Sequence, residues 1–265
     1  MTKRIFIVLC LTVAVCTAQK KPPTQINLKL FPAEEIEDVI IPVPSEIFGI
    51  LDKLGEPNWR SELSDAKPRT PARRAQIALL LGTVVADGFI AVQAQDAERV
   101  KDIGQRVLKL ADAINVRKAV LARSKSITEK ADKKDWAGVR KEFDGALKDV
   151  RGAMEELGDR DLSQLVSLGG WLRGTQVLTS VVGKNYTHDG AELLNQPELV
   201  DYFIRKLDAL QNPRLKNDAL VGKVRKTLRD LKPLLVFGPN EVPSRETVAR
   251  VNKITKETVQ SITGK

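Results

Sequence analysis

The sequence feature that most constrains the fold is one long apolar stretch, Thr70 to Gln95, TPARRAQIALLLGTVVADGFIAVQAQ. Between residues 77 and 92 only Thr83 and Asp87 are polar, and a helix that is apolar nearly all round lies inside a protein core or a membrane. A membrane-spanning helix needs about 20 apolar residues, and this run is shorter and contains an Asp and two glycines. We therefore predict a buried core helix around which the rest of the chain packs.

The start of this central helix carries two signals. Thr70 can act as the N-cap, because its hydroxyl can accept a hydrogen bond from a backbone N–H that has no helical partner. Pro71 then stands at the first helical position, where the missing N–H of proline has no cost. Together they predict that the helix begins at Thr70.

A second nearly apolar stretch runs from Asp161 to Val182, DLSQLVSLGGWLRGTQVLTSVV. Glycine weakens a helix by about 1 kcal/mol relative to Ala. Because this cost needs a reason, the glycines in the second stretch indicate a close crossing with another helix. A phosphate-binding loop is the alternative, but the glycines lie in mid-helix, without a preceding strand or a Lys-Ser/Thr pair. The predicted crossing joins the small residues of the two helices, Ala78, Gly82 and Ala86 with Gly169, Gly170 and Gly174.

A polar face on the central helix is the first candidate for function. Helical geometry places Gln76, Thr83 and Asp87 within about 40° of one another. This face is expected to be a strip of solvent exposure, a buried polar patch with a structural partner, or a ligand or catalytic site. Arg173 is the one charge between residues 162 and 182, so we predict that it faces Asp87 inside the protein, with a two-bonded guanidinium–carboxylate contact. The four residues are candidate ligand-binding residues.

The remaining sequence predicts an all-α fold, a compact multi-helix bundle or array around the two apolar central helices. Amphipathic helices are predicted over 96–114, 116–130, 134–157, 197–210, 215–231 and 244–262. Residues 19–69 predict an extended, irregular lead-in with one short helix, Glu46 to Leu54, capped by Ser45, and with Trp59 anchoring the next loop. Residues 70–265 then form the helical domain.

The N-terminus has the pattern of a signal peptide over residues 1–18. Lys3 and Arg4 precede an apolar run over residues 5–16, and small residues precede Gln19, the predicted mature start. A lipidated Cys16 and an uncleaved N-terminal anchor are weaker alternatives. The sequence therefore predicts an exported protein, periplasmic or secreted.

Cysteine usage agrees with this prediction and limits the chemistry. The chain has two cysteines, Cys10 and Cys16, and both lie inside the predicted signal peptide. The mature protein would then have no disulfide, no Cys nucleophile and no Cys-based metal site.

The single histidine, His188, lies in a predicted loop over residues 183–190. His188 and Glu192 are four residues apart, a spacing that can share a metal ion or support acid–base chemistry. Asp189 and Glu192 also fit a capping box at a helix start, and this structural role is favoured. Asn185-Tyr186-Thr187 matches a glycosylation acceptor, which has meaning only in a eukaryotic source. No metal and no cofactor are predicted.

Charge is concentrated at the C-terminus. Residues 205–265 contain 14 basic and 6 acidic residues, a net charge of +8. A basic amphipathic helix indicates an anionic partner, such as lipid headgroups, envelope polymers or an acidic protein, and solvated surface is the alternative. Nucleic acid is disfavoured, because no aromatic residues interleave the basic ones. The candidate contact residues are Lys216, Lys223, Arg225, Lys226, Arg229 and Lys232.

These patterns support two hypotheses about function. The first is an exported, non-enzymatic helical protein, a binding or structural component of a bacterial cell envelope. The second is a small-molecule-binding protein or a hydrolytic enzyme that uses the polar face near Asp87 and Arg173. A cavity beside Asp87 would favour the second hypothesis, and a solid core would favour the first.

Overall fold

The computed structural model describes residues 34–36, 39–41, 44–65, 69–238 and 241–264, and this part of the chain is almost entirely helical. The predicted all-α class is confirmed, whereas the predicted signal peptide lies outside the described residues. The helices are α1 (Pro44–Lys53), α2 (Arg74–Gln93), α3 (Ala97–Ala113), α4 (Arg117–Asp132), α5 (Trp136–Glu156), α6 (Arg160–Lys184), α7 (His188–Glu192), α8 (Pro197–Asp208), α9 (Pro213–Lys216), α10 (Ala219–Leu231) and α11 (Arg245–Thr263).

Helix α2 lies at the centre of the fold, as predicted. It packs against α6 more extensively than any other pair of elements packs, and it also contacts α3, α5, α10 and α11. By length and composition α2 is the one helix in the described ranges that could cross a membrane, yet 83% of its most apolar window is buried inside the protein. Core helices pass the same test of length and composition.

The predicted start of α2 at Thr70 is wrong. The helix begins at Arg74, after Arg73, which has an extended backbone and caps no N–H with its side chain. The arginines at this end bind carboxylates of other elements instead: Arg73 pairs with Asp218 at 3.0 Å and Arg74 with Asp159 at 2.8 Å. These tertiary contacts accompany a helix start that differs from the one the local capping signal predicts.

Glycines bring the backbones of α2 and α6 together. A methyl group at Gly82 would lie 1.9 Å from the carbonyl oxygen of Val166, and one at Gly169 would lie 2.0 Å from that of Leu79. Only glycine permits so close an approach at these two positions. The prediction was wrong for Gly174, where an added methyl group would have no neighbour within 4 Å.

The other helices cover this central pair. Helix α11 packs on α6 and α10, and α8 packs on α10. Helices α4 and α5, joined by a short loop, pack against each other as a hairpin, and α4 packs on α3. Polar contacts help to join the hairpin, since Arg123 on α4 binds Asp149 at 2.8 Å and Glu142 at 3.0 Å on α5.

The N-terminal part contains more regular structure than the predicted lead-in. Two short strands, β1 (Glu34–Ile36) and β2 (Val39–Ile41), pair antiparallel. The predicted cap at Ser45 was wrong, because α1 begins one residue earlier at Pro44 and the backbone N–H of Ser45 donates to Asp144 on α5 at 2.9 Å.

Two aromatic residues fasten this part of the chain to the core. The ring centroid of Phe48 on α1 lies 4.8 Å from that of Phe89 and 5.7 Å from that of Phe143. Trp59 is buried against Ile90 on α2 and against α6, which confirms its predicted role as an anchor. It belongs to a short 3-10 helix, Trp59–Glu62.

Candidate functional site

The predicted contact between Asp87 and Arg173 is present at the centre of the molecule. Arg173 Nε donates to Asp87 Oδ1 at 2.8 Å, and the two side chains are 5% and 3% exposed. Burial raises the pKa of Asp87, and the charge and hydrogen bond of Arg173 oppose that rise. An ion pair this deeply buried has strong mutual attraction, and either charge left alone is costly.

The guanidinium of Arg173 does not form the predicted two bonds with one carboxylate. Its Nε binds Asp87, while Nη2 donates to the backbone carbonyl oxygen of Glu62 in the 3-10 helix. The fork therefore connects α2, α6 and the segment over residues 59–65. Through this division Arg173 holds the segment against the two central helices.

Glu62 completes a second ion pair beside the first. Its side chain is 7% exposed and binds the ammonium of Lys184, which is itself 58% exposed. The hydroxyl of Ser180 also donates to Glu62, at 3.2 Å. Both buried carboxylates at this place thus have a basic partner on α6.

A cleft of about 330 Å³ surrounds these two ion pairs and is named the central cleft. The 61–64 segment and four helices, α2, α3, α6 and α11, line it. Most of the residues that line the cleft have polar or charged side chains, and they include Glu62, Thr83, Asp87, Arg106, Arg173, Gln176, Ser180, Lys184, Asn252, Lys256, Gln260 and Thr263.

Helical spacing explains how α6 supplies so much of the wall. Arg173, Gln176, Ser180 and Lys184 follow one another at steps of three or four residues and so share one face of the helix. Asn252 on α11 ties the opposite wall to this face, because its Nδ2 donates to the carbonyl oxygen of Gln176 at 2.8 Å.

Three polar groups in the cleft lack the partner that their chemistry calls for. Arg106 and Lys256 line the cleft and form no ion pair within the part of the chain that the structure describes. The Oε1 atom of Gln176 is buried without a hydrogen-bond partner. A buried acceptor left unpaired is uncommon in a native protein and calls for an explanation.

The structure brings together three of the four candidate residues from the sequence. Thr83, Asp87 and Arg173 line the central cleft, and the hydroxyl of Thr83 donates to the carbonyl oxygen of Leu79 at 2.9 Å. Gln76 does not line it: its amide donates to the carbonyl oxygen of Ile262 at 3.0 Å, near the end of α11. The separation of two helical turns along α2 keeps Gln76 away from the cleft.

Sequence reasoning missed most of the remaining wall. Glu62, Arg106 and Lys256 come from three separate elements, and no spacing along the chain links them. Gln176 and Ser180 gave a usable signal, because they continue the helical face of Arg173. The prediction considered Arg173 alone and did not follow that face.

Acidic neighbours partly neutralise the predicted basic surface, since three carboxylates pair with four of its six basic residues. Arg225 and Arg229 lie 3.1 and 3.2 Å from Asp208, Lys226 lies 2.7 Å from Asp230, and Lys232 lies 2.7 Å from Asp201. A fifth candidate, Lys223, donates to the hydroxyl of Ser261 at 2.6 Å. Lys216 forms no ion pair with another described residue.

His188 lies at the surface beside a single carboxylate in the part of the chain that the structure describes. It is exposed at the start of α7, with its Nδ1 3.9 Å from Asp189. The predicted capping box was wrong, since Thr187 is the N-cap and accepts from the backbone N–H of Gly190. Among the described residues there is no cluster of three or more His, Cys, Asp or Glu able to hold a metal ion.

No protein-family model, no curated protein and no solved structure matches this chain.

Proposed function

We propose that this protein is an exported, non-enzymatic binding protein that holds a small polar ligand in the central cleft. The observation that carries the binding role is the cleft itself, a space of about 330 Å³ with a mainly polar wall beside Asp87. Ligand sites are concave and carry a few well-placed polar groups, and their volumes begin at about 300 Å³. A bundle with a solid core at this position would instead have supported a structural role.

The state of the carboxylates supports binding over hydrolysis. A carboxylate acting as general base or nucleophile must be free to take a proton or attack, whereas Asp87 and Glu62 are each held by a basic side chain. Lys184 and Ser61 are also close, at 3.2 Å, but the ammonium donates both to that hydroxyl and to Glu62. An ammonium in this role has no lone pair with which to activate a serine.

The exported location rests on the sequence of residues 1–18. Their charged start, apolar run and small residues before Gln19 have the pattern of a cleaved signal peptide. In a bacterial envelope the protein would meet small solutes that pass through the outer layers. A weak attraction of the basic residues 205–265 to anionic envelope components would place the binding protein near a surface.

A thermal-shift screen tests the binding role. The panel contains small neutral, cationic and anionic polar compounds, because a ligand that binds only the folded state raises the unfolding temperature by mass action. We expect at least one compound to stabilise the wild type in a saturable way. If no compound in the panel does so, the proposed function is wrong.

Two variants on the same helix locate the binding. Gln260 and Ala249 are both exposed on α11, but only Gln260 lines the cleft. Gln260→Trp should fill the cleft mouth and abolish the shift, whereas Ala249→Trp should leave it intact. An equal shift in both variants would place the ligand elsewhere on the protein.

A further inference from the structure

The charges of the central cleft do not cancel. Two acidic residues, Glu62 and Asp87, line it together with four basic residues. Lys184 and Arg173 neutralise the two carboxylates, which leaves the charges of Arg106 and Lys256. The cleft therefore presents two surplus positive charges to whatever occupies it.

These two cations come from different helices that line the same space. Arg106 is half-buried on α3, and its charge is close enough to Asp87 to lower the pKa of that carboxyl. Lys256 reaches the cleft from α11, near its open side. An anion held between them would have a guanidinium, which can bind a carboxylate or phosphate through two hydrogen bonds, and a flexible ammonium.

The third group, Gln176 Oε1, sets a different requirement. It is a buried acceptor in the cleft wall without a partner among the described residues. The atom is closed off from the cleft in this structure, so the half-buried Gln176 side chain must rotate its amide toward the ligand. A ligand hydroxyl would then supply the missing donor, whereas a plain carboxylate or phosphate oxygen would be repelled by Oε1. The ligand thus needs a hydrogen-bond donor in addition to its charge.

The size of the cleft limits the ligand further. Its volume of about 330 Å³ lies at the lower end of the range of about 300–1,000 Å³ that ligand sites have. A volume at this end of the range favours a small ligand, such as an organic acid of a few carbons, over a long peptide.

We propose that the central cleft binds a small hydroxylated dianion, with Arg106 and Lys256 binding its negative charges and Gln176 Oε1 accepting from its hydroxyl. This inference rests on the proposed function and names the class of ligand. A dicarboxylate and a phosphate monoester share the required chemistry, and the experiment below separates them.

Calorimetric titration at low ionic strength tests the inference with two matched pairs of probes. Malate and succinate have the same charge and length, and only malate has a hydroxyl. Glycerol 3-phosphate and propyl phosphate form the corresponding phosphate pair, since both have a three-carbon chain and only the first has hydroxyls on it. One additional hydrogen bond is expected to tighten binding by about 2- to 10-fold. We expect this preference for malate, for glycerol 3-phosphate, or for both, according to which source of charge the cleft accepts.

Variants assign the preference to its residues. Gln176→Leu should bind the two members of a pair equally, at the weaker affinity, and Gln176→Glu should weaken both through repulsion. Arg106→Gln should weaken every dianion by about 10-fold or more, whereas Lys109→Gln, an exposed change on the same helix away from the cleft, should not. Unchanged unfolding temperatures without ligand confirm that the variants fold.

The results that overturn the inference differ from those that overturn the proposed function. Equal binding of both members of each pair by the wild type refutes the role of the hydroxyl, although the cleft still binds a ligand. A preference that persists in Gln176→Leu refutes the role of Gln176. If no dianion binds, the ligand class is wrong, and the neutral and cationic compounds of the thermal-shift panel still decide the proposed function.

Discussion

Removing one partner of the Asp87–Arg173 pair should strongly destabilise the fold. The two side chains are 3% and 5% exposed, so a charge left without its partner would be poorly solvated. Breaking a buried ion pair from one side costs about 3–5 kcal/mol. We expect this loss in the free energy of unfolding for Asp87→Leu and for Arg173→Leu. The double variant should lose less than the sum of the two, by about 1–3 kcal/mol, because neither charge is then left alone.

Urea unfolding followed by tryptophan fluorescence and by circular dichroism measures these changes. The two unfolding transitions should coincide if unfolding is two-state, and this has to be checked because chains longer than about 150 residues often unfold through intermediates. The matched control is Arg74–Asp159, an ion pair at 2.8 Å that also joins the start of α2 to that of α6 but is 45% and 22% exposed. Its single variants should cost less than about 1 kcal/mol.

The pH dependence of Arg173→Leu gives a second readout of the same prediction. Burial already raises the pKa of Asp87 above its ordinary value of 3.8, and removing Arg173 raises it further. A folded-state pKa above the unfolded one means that the folded protein binds the proton more tightly, so stability falls as the pH rises through the folded pKa. The variant should therefore lose less stability in mild acid than at neutral pH. If each single variant lost less than about 0.5 kcal/mol in the free energy of unfolding, and the two losses added in the double variant, the predicted role of the buried ion pair would be refuted.

Four other predictions follow from the fold and the sequence. Gly169→Ala should lower the free energy of unfolding in urea by about 1–3 kcal/mol or more, because the added methyl group would lie 2.0 Å from a carbonyl oxygen of α2. Gly174→Ala in the same helix should be neutral or stabilising by up to about 1 kcal/mol, because the added methyl group has no neighbour within 4 Å. Asp52→Asn should cost less than about 1 kcal/mol near pH 7, because a hydrogen bond from an arginine of α5 lowers the pKa of Asp52 below 3.8. The stability that this carboxylate contributes is present above pH 3.8 and is lost as the pH falls through the folded-state pKa. Wild type and variant should therefore have the same stability in strong acid. N-terminal sequencing of the exported form should begin at Gln19, and retention of the first methionine would contradict export by cleavage. The basic C-terminal stretch should bind anionic vesicles weakly at low salt and lose that binding near 1 M salt, where the Debye length is about 3 Å; salt-independent or absent binding would identify solvated surface.

The central helix pair and its ion pair were predictable because the signals lie within two short stretches. A single charge in each of two apolar helices, at positions 87 and 173, leaves few ways to satisfy either one. The glycines of α6 gave the close crossing for the same local reason, although Gly174 shows that a small residue is not always at the contact.

The rest of the cleft depends on contacts between distant parts of the chain. Arg106, Lys256 and the 59–65 segment meet only after α3, α11 and the N-terminal region have packed on the central pair. The start of α2 was also not predictable from local sequence. The helix begins at Arg74 and not after the predicted cap Thr70, and the arginines at its start bind Asp218 and Asp159 from distant parts of the chain. Side chains joined only by tertiary packing leave no periodic pattern in a single sequence.

The most direct test of a small-anion site in the central cleft is a pair of NMR titrations of the isotope-labelled full chain, one with malate and one with glycerol 3-phosphate. We expect saturable shifts that concentrate on the backbone amides of residues 59–65, 173–184 and 252–263 and on the Nε–H of Arg106. The α4–α5 hairpin, over residues 117–156, does not line the cleft and should stay unchanged. Shifts that saturate with neither compound, or that spread equally to the hairpin, would contradict the account.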